Sequence, residues 1–219
     1  IVTKDFFWET SLTYTKYKDR WKERTPDWKP NVYEKETDPI RAIYSRRADH
    51  IMQIGEEAPT AQPDLRPGQI VIKDLDGYVR DENGNPKVDE NGRFMLLGRP
   101  DGIIDEADTE LIGTLDPGWM ASMTNTFKYK GFDLNIMFNG MFDRIMQDPT
   151  EMDFGVNGGG IAQSGYNMLR TIKDRWTFDN PSTTRPSSYY ITGTNYTAGD
   201  FFYQKAWFIR LQNISLGYT

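Results

Sequence analysis

The residues that most clearly suggest chemistry are the aspartates in the acidic middle of the sequence. The stretch 101–108 matches the second half of an EF-hand calcium loop, in which oxygen ligands stand at fixed positions around a glycine turn. Joining Asp76-Gly77 directly to Asp101 restores the first half. In that register five carboxylates and one backbone carbonyl stand at loop positions 1, 3, 5, 7, 9 and 12, and these are, in order, Asp74, Asp76, Asp101, Ile103, Asp105 and Asp108.

An all-oxygen ligand set favours a hard cation, Ca²⁺ or Mg²⁺, and aspartates this close repel one another without one. The two halves are separated by an insertion, 78–100, so a solvated, turn-rich loop without metal is the alternative. Within the insertion, Asp-Glu-Asn-Gly occurs at 81–84 and again at 89–92. Asn-Gly is a strong turn signal, so we expect a small exposed hairpin in which 78–80 pairs with 93–97.

Composition excludes several classes of function. The 219 residues carry a net charge of −6 and no cysteine, so a nucleic-acid-binding surface, a disulfide framework and a thiolate metal site are not expected. No Ser-His-Asp set or phosphate-binding loop is found, and the single histidine, His50, has the pattern of a structural or solvated residue. The carboxylates cluster in turn motifs rather than as a glycosidase pair. We therefore expect no enzymatic activity. The chain begins at Ile1 and stops within a strand-like run, so we expect it to be a piece of a longer protein.

The element with the clearest period is a hairpin over 118–142. Apolar and polar residues alternate from Trp119 to Tyr129, Gly131 breaks the run, and the alternation resumes from Phe132 to Phe142. Strands of this length exceed the ~5–6 residues usual in soluble domains and match the ~9–11 of a membrane-spanning strand. The apolar face, with Leu134 on it, could meet either lipid or a soluble core.

Further alternation predicts strands over 6–17 and 201–219, the last with a bulge near Gln212-Asn213, together with one weaker strand over 41–54 and a short strand over 69–73. Proline-rich, charged or glycine-rich stretches predict loops over much of 18–39, 55–117 and 145–204. Within the last of these, Leu169, Ile172 and Trp176 have helical spacing and predict one short loop helix over 166–176. No run of apolar residues is long enough for a spanning helix.

With these motifs in order, the chain resembles the C-terminal part of the barrel of SusC-type TonB-dependent transporters of Bacteroidetes. The matching pieces are Trp8-Glu9-Thr10-Ser11-Leu12, Pro67-Gly68, Asp101-Gly102-Ile103-Ile104-Asp105, Ile112-Gly113, the run 127–134, Asp174-Arg175-Trp176-Thr177 and the run 209–219. The insertion 78–100 departs from that family's uninterrupted aspartate loop. The resemblance implies an all-β segment, of about six strands with three extracellular loops, in a large antiparallel transmembrane barrel, with a periplasmic turn at Lys130-Gly131 and a plug domain supplied elsewhere.

The resemblance also implies function. It indicates an active transporter in the outer membrane of a Gram-negative bacterium that imports oligosaccharides or peptides, is energised by TonB, contacts outer-membrane lipid and works with a SusD-like surface lipoprotein. Ring and hydroxyl groups in the outer loops could contact substrate or that partner, and the candidates are Trp176, Tyr189, Tyr190 and Tyr196. The alternative is a calcium-stabilised cell-surface β-rich glycan-binding module. Whether lipid meets the apolar faces distinguishes the two.

Overall fold

The structure, a computed structural model, describes residues 1–90, 92–156, 165–188 and 198–219. Four long strands form the main antiparallel sheet in the order β1-β6-β7-β10. Their bounds are β1 Phe6–Lys16, β6 Trp119–Tyr129, β7 Phe132–Phe142 and β10 Phe208–Tyr218. Each has eleven residues, as the alternating pattern predicts for a spanning strand. We call this sheet the wall.

Short turns join the wall strands at one end. Lys130 and Gly131, both with positive φ (46° and 85°), make the two-residue turn between β6 and β7. Glycine is needed at position 131 because a Cβ there would lie 2.7 Å from the Thr219 carbonyl oxygen, besides the unfavourable φ. At the same end, the Trp8 amide donates to the Ile1 carbonyl across a second tight turn (2.8 Å). The predicted hairpin and its glycine turn are therefore confirmed.

The last wall strand contains the predicted irregularity. Leu211 pairs with Phe138 and Asn213 pairs with Met137, so Gln212 is the extra residue of a β-bulge. The bulge restores the register: Ile214, Leu216 and Tyr218 then continue the apolar face opposite Ile136, Leu134 and Phe132.

The opposite end of the wall carries a folded body, which we call the outer module. It contains three two-stranded sheets, β2–β5, β3–β4 and β8–β9. Its strand bounds are β2 Ala42–Arg46, β3 Ala48–Ile51, β4 Ile70–Ile72, β5 Thr109–Thr114, β8 Ile145–Gln147 and β9 Tyr203–Lys205. Two 3₁₀ segments, Glu106–Asp108 and Arg170–Asp174, and a π-helical turn, Glu151–Val156, complete it.

Several expectations differ from this architecture. Among the described residues the wall has four strands rather than six, because the strand predicted over 41–54 forms β2 and β3 of the outer module. The segment 17–118 is consequently one connection between the paired strands β1 and β6. The wall strands are therefore joined by two long connections rather than three. The helix predicted over 166–176 shrinks to the 3₁₀ turn Arg170–Asp174, and β5, β8 and β9 lie within stretches that we expected to be loop. The strand predicted from 201 begins at Phe208, after β9.

Across the described ranges, the structure contains no helix with both the length and the hydropathy required for a membrane span.

Candidate functional site

The wall has two chemically different faces because residues paired across antiparallel strands lie on the same side of the sheet. One row crosses all four strands as Leu12, Met123, Phe138 and Leu211. The adjacent row, on the opposite face, runs Thr13, Ser122, Asn139 and Arg210. The alternation along each strand repeats this contrast over the length of the wall.

Polar side chains on each face are hydrogen-bonded to one another. On the polar face, Asn135 donates to Thr126 (3.0 Å) and Asn139 donates to Gln212 (3.2 Å). On the apolar face the exception is Asn125, whose Oδ1 accepts from the Trp8 indole N–H (3.2 Å) and from the Thr10 hydroxyl (2.7 Å). Its neighbours thus satisfy the carbonyl of this one amide, as an apolar environment requires.

Aromatic rings form a row at each end of the apolar face. The outer row, next to the outer module, stacks Trp119 on Phe142 (centroids 3.8 Å apart), with Tyr14 5.9 Å from Trp119 and Trp207 6.4 Å from Phe142. The inner row, at the short turns, contains Phe6, Tyr129, Phe132 and Tyr218 in register.

The spacing of the two rows can be compared with a membrane. Trp119 and Tyr129 lie ten residues apart in β6, which is ~33 Å along a strand at ~3.3 Å per residue. At a barrel tilt of ~40° this becomes ~25 Å along the membrane normal, the height of the apolar band between the aromatic girdles of outer-membrane barrels. Between the rows, large apolar side chains are exposed, including Leu12 at 74% and Leu216 at 71%. A soluble protein would have to cover such a face.

The aspartates of the predicted calcium loop come together in the outer module. Asp101 lies against Gly77, where a Cβ would be 2.3 Å from the Asp101 Cγ. Asp76 closes the neck of the insertion by accepting from the amides of Gly77 (2.8 Å), Gly98 (2.7 Å) and Arg99 (3.2 Å). Asp74 accepts from the amides of Asp101 (3.3 Å) and Gly102 (2.7 Å).

Asp108 is the buried centre of this group. Its side chain is fully buried and accepts three backbone N–H groups, from Leu75 (2.7 Å), Asp76 (3.3 Å) and Asp105 (2.8 Å). Burial raises the pKa of its carboxyl, against the lowering effect of those three amides, and the nearby charge of Asp74 raises it further.

The remaining predicted ligands contact other groups. Asp105 caps the 3₁₀ turn by accepting from the Ala107 amide (2.8 Å), and Arg80 from the insertion reaches Asp105 (3.3 Å) and Asp101 (3.9 Å). The Ile103 amide donates to Asp101 (3.0 Å). Within the described ranges no three His, Cys, Asp or Glu side chains are grouped as a metal site. The carboxylates are instead satisfied by amides and one guanidinium, and cation binding by the six predicted residues stays a prediction.

The insertion is more elaborate than a hairpin. The predicted pairing of its ends is confirmed by Tyr78 opposite Leu96, but a third segment joins them. Val79 donates to Met95 (2.9 Å), Met95 to Lys87 (2.9 Å), and Lys87 back to Val79 (2.8 Å), which closes a triangle of backbone hydrogen bonds. The repeated Asp-Glu-Asn-Gly turns connect the three segments of this triangle. Its three donor residues, Val79, Lys87 and Met95, follow one another at intervals of eight residues. The repeat was visible in the sequence, and this spacing was the signal of the third segment.

The outer module has its own hydrophobic core. Its buried members are Ile51, Ile70, Ile72, Val156, Trp176 and Phe202. The Trp176 indole packs over Gly68, where a Cβ would lie 2.5 Å from the ring, and its N–H points to the Gln53 side-chain oxygen (3.4 Å). Trp176 is only 4% exposed, so the expectation that it faces substrate or a partner is wrong: it anchors the core. The other three candidates, Tyr189, Tyr190 and Tyr196, lie outside the described residues.

Charged pairs hold the edges of the module. Arg47 pairs with Glu110 and with Asp200, which also accepts from the Ala48 amide (2.8 Å). The lone histidine, His50, is held between Asp49 (2.9 Å) and Glu56 (2.5 Å), which raise its pKa. No nucleophile is part of this set, which agrees with a structural histidine.

The chain is similar in sequence to known proteins. No protein-family profile matches the chain. The TonB-dependent receptor P3 of Formosa agariphila is 23% identical over 236 residues, which cover 100% of this chain and 20% of that protein. The TonB-dependent receptor P26 of the same organism is 25% identical over 131 residues, covering 60% of this chain and 12% of that protein. The chain therefore spans a fifth or less of these relatives.

A solved structure of the RagAB peptide importer in a closed-closed state superimposes over 100% of this chain and 21% of its own, with a TM-score of 0.57 and 19% identity. At this identity the similarity is one of fold. The predicted all-β, antiparallel fold class is confirmed, because the chain superimposes over its whole length on part of that structure.

Proposed function

We propose that this chain, a segment resembling the C-terminal barrel portion of TonB-dependent transporters, is the part of an outer-membrane importer that separates lipid from the lumen and carries one face of the substrate entrance. The observation that carries the proposal is the two-faced wall with aromatic rows ~25 Å apart. The importer takes up an oligosaccharide or a peptide, is energised by TonB through regions outside this chain, and performs no covalent chemistry. In this arrangement the polar face, with Asn135 and Asn139, meets the lumen.

The outer module acts as a preformed docking body in this proposal. It has its own hydrophobic core and ion pairs, so it presents a folded surface rather than an unstructured segment. A body of this kind at the extracellular mouth suits a SusD-like lipoprotein that closes over the entrance. Support for a role in import comes from the fold that this chain resembles, that of the RagAB peptide importer.

The aspartate loop is structural in the same proposal. Its carboxylates hold the neck of the insertion through backbone amides. A Ca²⁺ or Mg²⁺ ion bound by Asp74, Asp76, Asp101, Asp105, Asp108 and the Ile103 carbonyl would reinforce that neck by replacing like-charge repulsion with coordination. The ion would stabilise the module and take no part in transport chemistry.

The placement of the wall is tested with single cysteines, because the chain has none of its own. In the full-length protein in membranes, a water-soluble maleimide should label position 135, on the polar face, much faster than position 134, on the apolar face. A matched pair on another strand, Ser122→Cys and Met123→Cys, should give the same contrast. Equal labelling of positions 134 and 135 would contradict a lipid-facing wall and favour the soluble glycan-binding alternative.

Transport is tested in cells that lack the full-length protein and are complemented with it. Growth on oligosaccharides or on peptides as carbon source should depend on the complementing copy and on TonB, and the detergent-solubilised protein should co-purify with a surface lipoprotein. Growth on both substrate classes without the protein would contradict the proposed import function, even if the wall is placed correctly.

A further inference from the structure

A row of basic residues follows β1 in the chain, beyond the membrane band. Even-numbered residues of β1 lie on the apolar face, ending with Lys16 opposite Trp119 of the outer aromatic row. The sequence keeps the same alternation beyond the strand with Lys18, Arg20 and Lys22. All four side chains are exposed, and among the described residues none has an ion pair or a hydrogen bond. We call these four residues the basic stripe.

The basic stripe is unusual in its surroundings. The whole chain is acidic, with a net charge of −6, whereas residues 16–22 contain four cations and one carboxylate, Asp19. Four unpaired cations in seven residues, just outside an aromatic girdle, repel one another in the absence of an anion. Their position is where the headgroups of the outer leaflet lie, because the girdle marks the interface.

An apolar groove lies on the apolar face of the wall, near Lys16, the first residue of the stripe. Its floor is the pair Ala121 and Gly140, the smallest residues of the apolar face, directly opposite each other on β6 and β7. Larger side chains form the sides, and the groove encloses about 540 Å³ between Leu12, Tyr14, Met123, Phe138 and Ile209. Gly140 keeps the floor low for a second reason: a Cβ there would lie 2.7 Å from the Phe142 ring and 2.9 Å from the Phe208 carbonyl oxygen.

Register connects the groove to the stripe. Tyr14 pairs with Ala121, and two residues further along β1 Lys16 pairs with Trp119. The distance from groove to first cation is therefore two residues, or ~7 Å along the strand. An amphiphile with an anionic headgroup and an acyl chain matches both features at once, whereas a soluble anion would use only the stripe and a neutral lipid only the groove.

We propose that this part of the wall is a binding site for a phosphate-bearing lipid of the outer leaflet. The headgroup phosphates contact the basic stripe, and one acyl chain lies in the groove over Ala121 and Gly140. This site is on the outside of the barrel and is independent of the substrate path.

The test uses the full-length transporter in detergent, with bis-phosphorylated lipid A as the probe and native mass spectrometry to count bound lipid. Dephosphorylated lipid A and inorganic phosphate are the comparison ligands. A Lys18→Gln/Arg20→Gln/Lys22→Gln variant removes cations that lie outside the strands. Since a cation near an anionic lipid surface contributes about a factor of five, the affinity for lipid A should fall by about 100-fold. The matched control, Lys4→Gln/Lys128→Gln/Lys130→Gln, removes the same charge at the opposite end of the wall and should leave the affinity unchanged.

Filling the groove is the second arm. Ala121→Leu places a side chain on the floor, and displacing even one acyl methylene should weaken binding by about four-fold. Dephosphorylated lipid A should bind the wild type as weakly as lipid A binds the triple variant, and inorganic phosphate should not displace lipid A. Unchanged affinity in the triple variant, an equal loss in the control, or displacement by inorganic phosphate would each overturn the proposal. Folding of every variant is checked by heat-modifiable migration in gels, and the Ala121→Leu arm decides if the triple variant is unfolded.

Discussion

The sharpest test of how the outer module is held together is Asp108→Ala. The carboxyl of Asp108 is fully buried and is the acceptor for the amides of Leu75, Asp76 and Asp105. Alanine removes the two carboxylate oxygens that accept from all three amides and admits no water without rearrangement. A buried donor left without an acceptor costs about 1–3 kcal/mol, and effects of neighbouring donors do not add fully, so we expect the module to lose about 3–6 kcal/mol of local stability.

Hydrogen exchange on the full-length protein measures this loss at the affected amides. A loss of 3 kcal/mol corresponds to more than a 100-fold acceleration, so the amides of residues 75, 76 and 105 should exchange at least that much faster, provided that exchange occurs through local opening. Asp81→Ala is the matched control: Asp81 also accepts backbone amides, from Asn83 and Asn85, but it is only partly buried, and water can replace its side chain. The wall amides of β6 should be unchanged in both variants. Exchange at the wild-type rate at residues 75, 76 and 105 in Asp108→Ala would refute the assignment of Asp108 as the acceptor that holds these segments together.

Three further predictions concern the same module. Asp101→Asn combined with Asp105→Asn should abolish any protection from proteolysis of the segment 74–108 that Ca²⁺ gives the wild type, and equal wild-type proteolysis with Ca²⁺ and with chelator would exclude a structural ion. Trp176→Ala should destabilise the module by about 3–5 kcal/mol by thermal unfolding, because a buried indole leaves a large cavity, whereas Phe178→Ala, at a side chain that is 74% exposed, should change little. His50 has a raised pKa, so its contribution to stability is fully present below the ordinary pKa of ~6.5 and is lost as the pH rises through the raised pKa. Because its partners are partly exposed, this contribution is below about 1 kcal/mol. His50→Gln should remove the pH dependence from hydrogen exchange of the adjacent turn.

The wall could be predicted from sequence because its determinants are local. Eleven-residue alternation sets the strand and its faces, Gly131 sets the turn, and the phase change after Leu211 sets the bulge. A one-residue error in register would move every apolar side chain to the lumen, so the pattern itself specifies the pairing. These features show in the local sequence even though the strands pair over long separations, β1 with β6 and β7 with β10.

The outer module was less predictable because its determinants are distant. Ile51, Ile70, Val156 and Trp176 meet in one core although more than a hundred residues separate the first from the last. Leu169, Ile172 and Trp176 have the spacing of a helix, but the helix stops at Asp174, and Trp176 is drawn into the core over Gly68. Tertiary packing overrode a weak local preference. The short strands β5, β8 and β9 have too few residues to show a period.

The aspartate loop shows how a sequence pattern can locate a site while leaving its chemistry open. The register that joins Asp76-Gly77 to Asp101 brought the right residues together, since Asp101 does lie against Gly77. The pattern does not specify how many carboxylate oxygens already accept hydrogen bonds from backbone N–H groups. Those N–H groups belong to turns that the aspartates themselves help to form. The insertion sharpens this point. A chain that leaves at Gly77 and returns at Gly98 needs its two ends held together, and Asp76 does so with three amides. Removing the insertion to give a direct Gly77-Asp101 junction would free that carboxylate, so the uninterrupted loop should bind Ca²⁺ more tightly than the natural one, a comparison that isothermal titration on the two full-length proteins would decide.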